Sequence, residues 1–328
     1  MQTCFLAGSN GFSTPFIRKK KKISPIFEHL YDGLTSPLNR EEKPEEKVSA
    51  QVLDMANAMR GTKRQPAIFL HGVMPRSGTV YFGEVLRLYP EVFAYPNKLW
   101  ELPFMTHAGD LINYQEKFFQ TYQQNRSQME QNDLLCLFGA AMMNYLHSFV
   151  PEGKILLIKV PWMQFLNYFF TFFPKKRLLL LMRDGRDVVH STIRTWPNRD
   201  FEDVCRQWDS SARIFLDLQE KFNSDEYRIC FVKFEDLLQE PEDVTRGVLQ
   251  TFDLDCQKFP ADKIHNLPVR GSSAMQQEGK VSWSPVQKQT KYKPGGKWRS
   301  WSRQEKKLFK NICGETLIKL DYAENSEW

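Results

Sequence analysis

Four short apolar runs, at positions 67–71, 154–158, 178–182 and 229–234, are continuous rather than alternating. A strand covered on both faces reads this way, whereas a strand with one wet face alternates apolar and polar residues. Segments with helical spacing separate the runs, at 79–88, 133–148, 187–196, 202–221 and 241–252. Residues 90–94 read as the end of the first helix and a further short strand. Strands alternating with helices predict an α/β domain: a three-layer, P-loop-like fold with a central, mostly parallel sheet flanked by helices.

Ahead of the first strand, residues 36–65 are polar and dense in charge, with one helical candidate at 48–59. Residues 1–65 are therefore expected to be a leader, partly disordered or helical, and 66–328 the domain. The chain carries 45 Lys and Arg against 39 Asp and Glu, and part of that excess is the lysine run at 19–22. That run does not precede an apolar core, as the basic end of a signal peptide would, so it reads as a solvated tail, and no nucleic-acid partner is expected. The richest apolar stretch, 155–173, is broken by Lys159, Pro161 and Gln164, so no membrane span is expected. The six cysteines form neither a C-x-x-C pair nor a Cys/His cluster, which points to reduced thiols, a cytoplasmic location and no metal.

The first run leads directly into Gly72, Pro75, Arg76, Ser77, Gly78 and Thr79, and then into a helix. A Gly- and Ser-rich turn between a buried strand and a helix N-terminus offers unpaired N–H groups and the positive end of a helix dipole, a cradle for phosphate. An ordinary strand-to-helix turn is the other reading. A nucleoside-triphosphate loop carries Lys after its last glycine, where this chain has Thr79, and no strand ends in an obvious metal-binding carboxylate. The third run ends in Arg183, Asp184, Gly185, Arg186 and Asp187, with Asp187 a fair N-cap for the next helix and Ser191 beyond it. Strand C-terminal ends share one edge of an open parallel sheet, so Arg76 and Arg183 are expected on one ligand-binding rim. Arg–Asp ion pairs at a helix start are the alternative.

Together the two motifs resemble those of sulfotransferases that use 3′-phosphoadenosine 5′-phosphosulfate (PAPS). The resemblance implies that Ser77, Gly78 and Thr79 hold the 5′-phosphate and that Arg76 stabilises charge on the transferring sulfonyl. It implies that Arg183 and Ser191, eight positions apart as in the family, bind the 3′-phosphate. Tyr81 falls where cytosolic members often stack a Trp on adenine, and Val80 replaces a common second Thr. Phe234 stands where the family has a Tyr that reaches adenine. Lys291, Lys293, Gly296 and Trp298 resemble the C-terminal lid, with one of the two lysines supplying charge to the 3′-phosphate; Arg270 and the serines at 272 and 273 could add donors or form a plain surface turn.

For the chemistry, Lys159 matches the family's catalytic Lys, while Pro161 occupies the position of the usual catalytic His. The resemblance to tyrosylprotein-type and bacterial members makes Glu101, just after Lys98 and Trp100, the candidate base, and His107 the runner-up; a surface Glu is the competing reading of Glu101. His71 and Glu91 read as structural, and His190 faces the wrong helix. The aromatic run from Trp162 to Phe173 reads mainly as core, with Trp162 and Phe165 as candidate walls for an apolar or aromatic acceptor. The function expected is sulfonate transfer from PAPS, without a metal, to a hydroxyl or amine of a small molecule. A small acceptor is favoured because members that sulfate proteins and glycans carry a membrane anchor. A P-loop phosphotransferase and a nucleotide-binding scaffold that has lost catalysis are the alternatives.

Overall fold

A computed structural model describes Ala50, Asp54 and residues 66–94, 101–222, 227–272, 276–277, 280–281, 284–287, 295–325 and 327–328. The chain divides into two units, Met1–Ser36 and Pro37–Trp328, and every described residue belongs to the second. The lysine run at 19–22, most of the helical candidate at 48–59, and Lys98, Trp100, Ser273, Lys291 and Lys293 lie outside the described residues.

Five parallel strands form the central sheet: β1 (Ala67–Gly72), β2 (Val92–Ala94), β3 (Ile155–Val160), β4 (Arg177–Met182) and β5 (Ile229–Lys233). Their spatial order is β2-β3-β1-β4-β5, so the chain reverses direction across the sheet on either side of β1. The phosphate-loop candidate follows β1 and the second motif follows β4, and these strands are neighbours in register Ile68↔Arg177 to Gly72↔Leu181. Adjacent parallel strands bring their following loops to one edge, which is why two motifs more than a hundred residues apart meet.

Helix α1 (Thr79–Leu86) follows β1 and covers one face of the sheet. There Ile68, Leu70, Leu157, Leu179, Leu181 and Val232 pack with Phe82, Val85 and Leu86. The remaining helices are α2 (Ala108–Thr121), α3 (Asp133–His147), α4 (Phe169–Phe172), α5 (Gly185–Thr195), α6 (Phe201–Lys221), α7 (Phe234–Gln239), α8 (Pro241–Thr251) and α9 (Arg303–Lys319). Helices α7 and α8 join α1 on its face through Leu237, Val248 and Leu249. On the opposite face Phe69 meets Phe169 edge-on at 5.0 Å and Phe173 at 4.7 Å, and Phe215 of α6 meets Phe231 at 5.3 Å. Both faces are dry, which is the reason the strand residues are apolar without alternation. Helix α9 covers α6, with the rings of Phe309 and Trp208 6.0 Å apart.

Local signals fix the helix starts. Asp184, not Asp187, caps α5: its side chain accepts the Arg186 N–H at 2.9 Å, and the helix begins at Gly185. Asp187 is released for another contact, described below. Asp200 caps α6 by accepting from the N–H groups of Glu202 and Asp203, and Pro241 opens α8. Strand β3 continues to Val160, beyond the apolar run that ends at 158. Lys159 is tolerated within it because the side chain passes Gly83 of α1, whose missing Cβ would lie 3.6 Å from Lys159 Cδ, and its ammonium ends on the Glu101 carboxylate. Among the described residues, no helix is long and apolar enough to cross a membrane.

Candidate active site

The loop after β1 curls tightly. Ser77 is fully buried, its hydroxyl and its N–H both directed to the Met74 carbonyl, at 2.8 and 3.2 Å. Gly78 precedes α1 at φ 102°, a region costly for any residue with a Cβ, and a Cβ there would collide with the Phe234 ring. Phe234 is thus the floor under this turn. Arg76 also adopts a positive φ, 82°, without being glycine. A strained backbone of this kind persists where its surroundings hold it. Here the holding contacts are the Arg183 guanidinium, whose Nη1 donates to the Arg76 carbonyl at 2.7 Å, and the Arg76 side chain itself.

That side chain turns towards the second motif. Arg76 Nε donates to Ser191 Oγ at 3.0 Å, and Nη2 donates to the Gly271 carbonyl. Arg183 lies over the Phe234 ring at 4.8 Å, and its carbonyl accepts from the Trp208 indole at 3.3 Å. Arg183 and Ser191 are both buried. The two arginines, Ser191 and the start of α1 therefore form one cationic, hydroxyl-bearing cluster at the strand ends. Tyr81, half-buried, meets the Phe234 ring edge-on at 6.3 Å, and burial raises the pKa of its hydroxyl. In its position Phe234 packs against the loop and brings no hydroxyl.

Lys159 and Glu101 come together: Nζ to Oε1 is 3.1 Å, with the lysine side chain 17% exposed and the glutamate 37%. Glu101 is thus half-buried and paired rather than a free surface carboxylate. His107 is exposed, at the end of a short 3₁₀ turn (Met105–His107) that leads into α2. It borders a cavity of about 400 Å³ whose walls include Phe69, Leu102, Phe104, Ile158 and Phe173, with Asp110 also in the lining. Trp162 and Phe165 do not line this cavity. Trp162 instead offers its carbonyl to His71 Nδ1 at 2.7 Å, and Phe165 packs at Gly109. His71 is wholly buried, and desolvation lowers its pKa to about 4, in keeping with a neutral core histidine. Glu91 pairs with Lys258 at the surface, and His190 packs near Trp301, 6.5 Å between rings.

Other residues join the site that the motifs alone do not point to. Glu235 accepts the Asp184 N–H at 3.1 Å and the Tyr322 hydroxyl at 2.9 Å. Burial raises the pKa of both the Glu235 carboxyl and the Tyr322 hydroxyl. Gly296, expected in the lid, donates its N–H to Asp187, and Trp298 stacks on Arg186. Among the described residues there is no group of three or more His, Cys, Asp or Glu side chains placed to hold a metal ion.

The curated protein-tyrosine sulfotransferase A of Caenorhabditis elegans is 27% identical over 207 residues, 58% of this chain and 51% of that protein. The chain thus spans about half the length of the curated relative it matches. Among solved structures, the sulfotransferase domain from the Synechococcus PCC 7002 olefin synthase is 19% identical with a TM-score of 0.44, covering 77% of this chain and 97% of that one. Retinol dehydratase in a complex with retinol and PAP is 13% identical with a TM-score of 0.44, covering 90% of this chain and 96% of that one. The model of the sulfotransferase family matches residues 66–258, a stretch that includes β1 to β5, both strand-end motifs and the Lys159–Glu101 pair, and on that match the chain belongs to the sulfotransferase family.

Proposed function

We propose that this protein transfers the sulfonate group of PAPS to a hydroxyl or amine of a small-molecule acceptor. The observation that carries the reading is the direct joining of the two strand-end motifs, Arg76 to Ser191 at 3.0 Å and Arg183 to the Arg76 carbonyl at 2.7 Å. A ligand phosphorylated at both ends needs two anion sites on one rim, and a simple nucleotide needs one. The donor reading gives the 5′-phosphate to the α1 N-terminus with Ser77, Gly78 and Thr79, Ser77 shaping the turn through its bonds to the Met74 carbonyl, and the 3′-phosphate to Arg183 with Ser191. The family's lid gives Lys291 or Lys293 a part in the same 3′-phosphate site, and Tyr81 and Phe234 flank the adenine end.

When bound, the donor supplies an electrophilic sulfur and a phosphate leaving group. Glu101 removes the proton from the acceptor's hydroxyl or amine as the new bond to sulfur forms. Lys159, hydrogen-bonded to Glu101, would set its positive charge against the negative charge that develops on the leaving oxygen, and Arg76 would add to that field. His107, at the mouth of the apolar cavity, is the alternative base. The cavity lined by Phe69, Leu102, Phe104 and Ile158, with His107 at its border, suits an apolar or aromatic acceptor body.

The test is transfer of ³⁵S from labelled PAPS to pooled alcohols, phenols and amines with magnesium chelated. The expected result is labelled product that depends on the protein. A protein that binds the donor but labels no acceptor is a nucleotide-binding scaffold, and that result would overturn the proposal.

A further inference from the structure

Arg186 and Asp187 lie between the two residues assigned to the 3′-phosphate, Arg183 and Ser191, yet have no part in the donor reading. Both are buried. Their side chains turn to the C-terminal part of the chain. Asp187 Oδ1 accepts the Gly296 N–H at 2.7 Å, and a Cβ at Gly295 would lie 2.8 Å from Asp187 Oδ2. Gly296 itself holds φ 80°, so consecutive glycines let the chain lie flat on this carboxylate.

Arg186 is held more elaborately. Its guanidinium donates to Asp184 Oδ2 at 2.7 Å and to the Tyr322 carbonyl at 2.7 Å. It stacks on the Trp298 ring at 4.4 Å and on the Trp328 ring at 4.8 Å. A planar cation packed against two mutually perpendicular indoles, with its N–H groups also hydrogen-bonded, is fixed in position and direction. One residue back, the Asp184 N–H donates to Glu235, which also accepts the Tyr322 hydroxyl. The first turn of α5 is therefore bound on two sides. Arg183 and Ser191 face the loop at Arg76, while Arg186 and Asp187 face residues 296–298 and 322–328.

From this arrangement we infer that Asp187 and Arg186 are positioning residues, which latch the segment around Gly296 and Trp298 to α5 and so hold Arg183 and Ser191 in place for the donor's 3′-phosphate. The inference rests on the donor-site reading above. A latch of this kind acts on one end of the ligand. Loosening it costs more affinity for a 3′-phosphate than for a 5′-phosphate, because the loop after β1, though braced by Arg183, is also held by Ser77 on the Met74 carbonyl and by the Phe234 ring under Gly78.

The experiment is calorimetric titration of the full chain and its variants with 3′,5′-adenosine bisphosphate and, separately, adenosine 5′-phosphate. Asp187→Ala is expected to weaken the bisphosphate about ten-fold and adenosine 5′-phosphate less than about two-fold. Asp187→Asn keeps an oxygen to accept the Gly296 N–H and removes a negative charge beside Arg183, so it should bind the bisphosphate as well as the wild type or better. Trp298→Ala tests the same latch at a half-buried residue outside the central sheet, and should lower bisphosphate affinity several-fold with the same selectivity. Equal losses for both ligands, no loss in either alanine variant, or an Asn variant as weak as the Ala variant would each overturn the latch. A wild-type protein with no affinity for the bisphosphate would instead overturn the donor-site reading beneath it.

Discussion

Replacing Arg183 by Ala is expected to weaken 3′,5′-adenosine bisphosphate about a hundred-fold, or about 2.7 kcal/mol, while adenosine 5′-phosphate changes by less than about three-fold. Arg183 is buried, it is braced by the Arg76 carbonyl, and it lies over the Phe234 ring. A guanidinium already fixed in this way binds a phosphate without a new ordering cost, so the full charge-assisted bond appears in the affinity. The variant also removes the donor that braces the positive-φ backbone of Arg76. If that bracing were the main role of Arg183, the phosphate loop itself would loosen and both ligands would suffer alike. The ratio of the two affinities, measured by calorimetry, separates these roles, and equal losses would contradict the 3′-phosphate assignment.

Glu101→Gln should leave bisphosphate binding within about two-fold of wild type and lower turnover about a thousand-fold, within the range for loss of a general base. The amide keeps the shape of the carboxylate and its carbonyl can still accept from Lys159 Nζ, now 3.1 Å from Oε1. What it loses is the capacity to take a proton. A His107→Gln variant run beside it distinguishes the two candidates. His107 is exposed at the cavity border, whereas Glu101 is held against Lys159, the proposed catalytic lysine. Unchanged turnover in the Glu101 variant with loss in the His107 variant would move the base to His107.

Much of the fold is legible because its strands are dry on both faces. Continuous apolar runs located β1, β3, β4 and β5 to within one or two residues, and the switch in strand order put the two motifs side by side. Helix α2 escapes notice because its buried stripe, Ile112, Gln115 and Phe119, includes a polar residue, while Tyr114 sits exposed on the other side. Apolar residues on both faces blur the helical period. Helix α9 has a buried stripe of Phe309, Cys313, Gly314, Thr316 and Leu317, in which small and polar residues dilute the signal. Its start carried a readable mark, the capping box of Ser302 and Glu305, which locates the helix without any periodicity.

The site divides along the same line. Residues within one motif were readable from spacing, and so was the meeting of Arg76 with the Ser191 region, because parallel-strand topology dictates it. Contacts between segments with no shared pattern were not. The Lys159–Glu101 bond spans 58 positions, and the Tyr322–Glu235 bond spans 87. Asp187 reads as an N-cap from its place before an apolar period, but Asp184 is one residue before the first helical position, and only the backbone shows which carboxylate takes the cap. The basic residues that matter are likewise few and local. Arg76, Lys159 and Arg183 stand at or just beyond the C-terminal ends of three adjacent strands, and the chain's overall excess of charge carries little of this information.

The central claim, two anion sites on one rim built for a ligand phosphorylated at both ends, is tested most directly by calorimetry with magnesium chelated, comparing 3′,5′-adenosine bisphosphate with adenosine 5′-phosphate, and a separate titration of ATP with magnesium. The expected result is bisphosphate binding at least about a hundred-fold tighter than either of the others, the second phosphate contributing a buried charge-assisted site of its own. Tighter binding of ATP with magnesium, or equal affinity for the bisphosphate and the monophosphate, would contradict it.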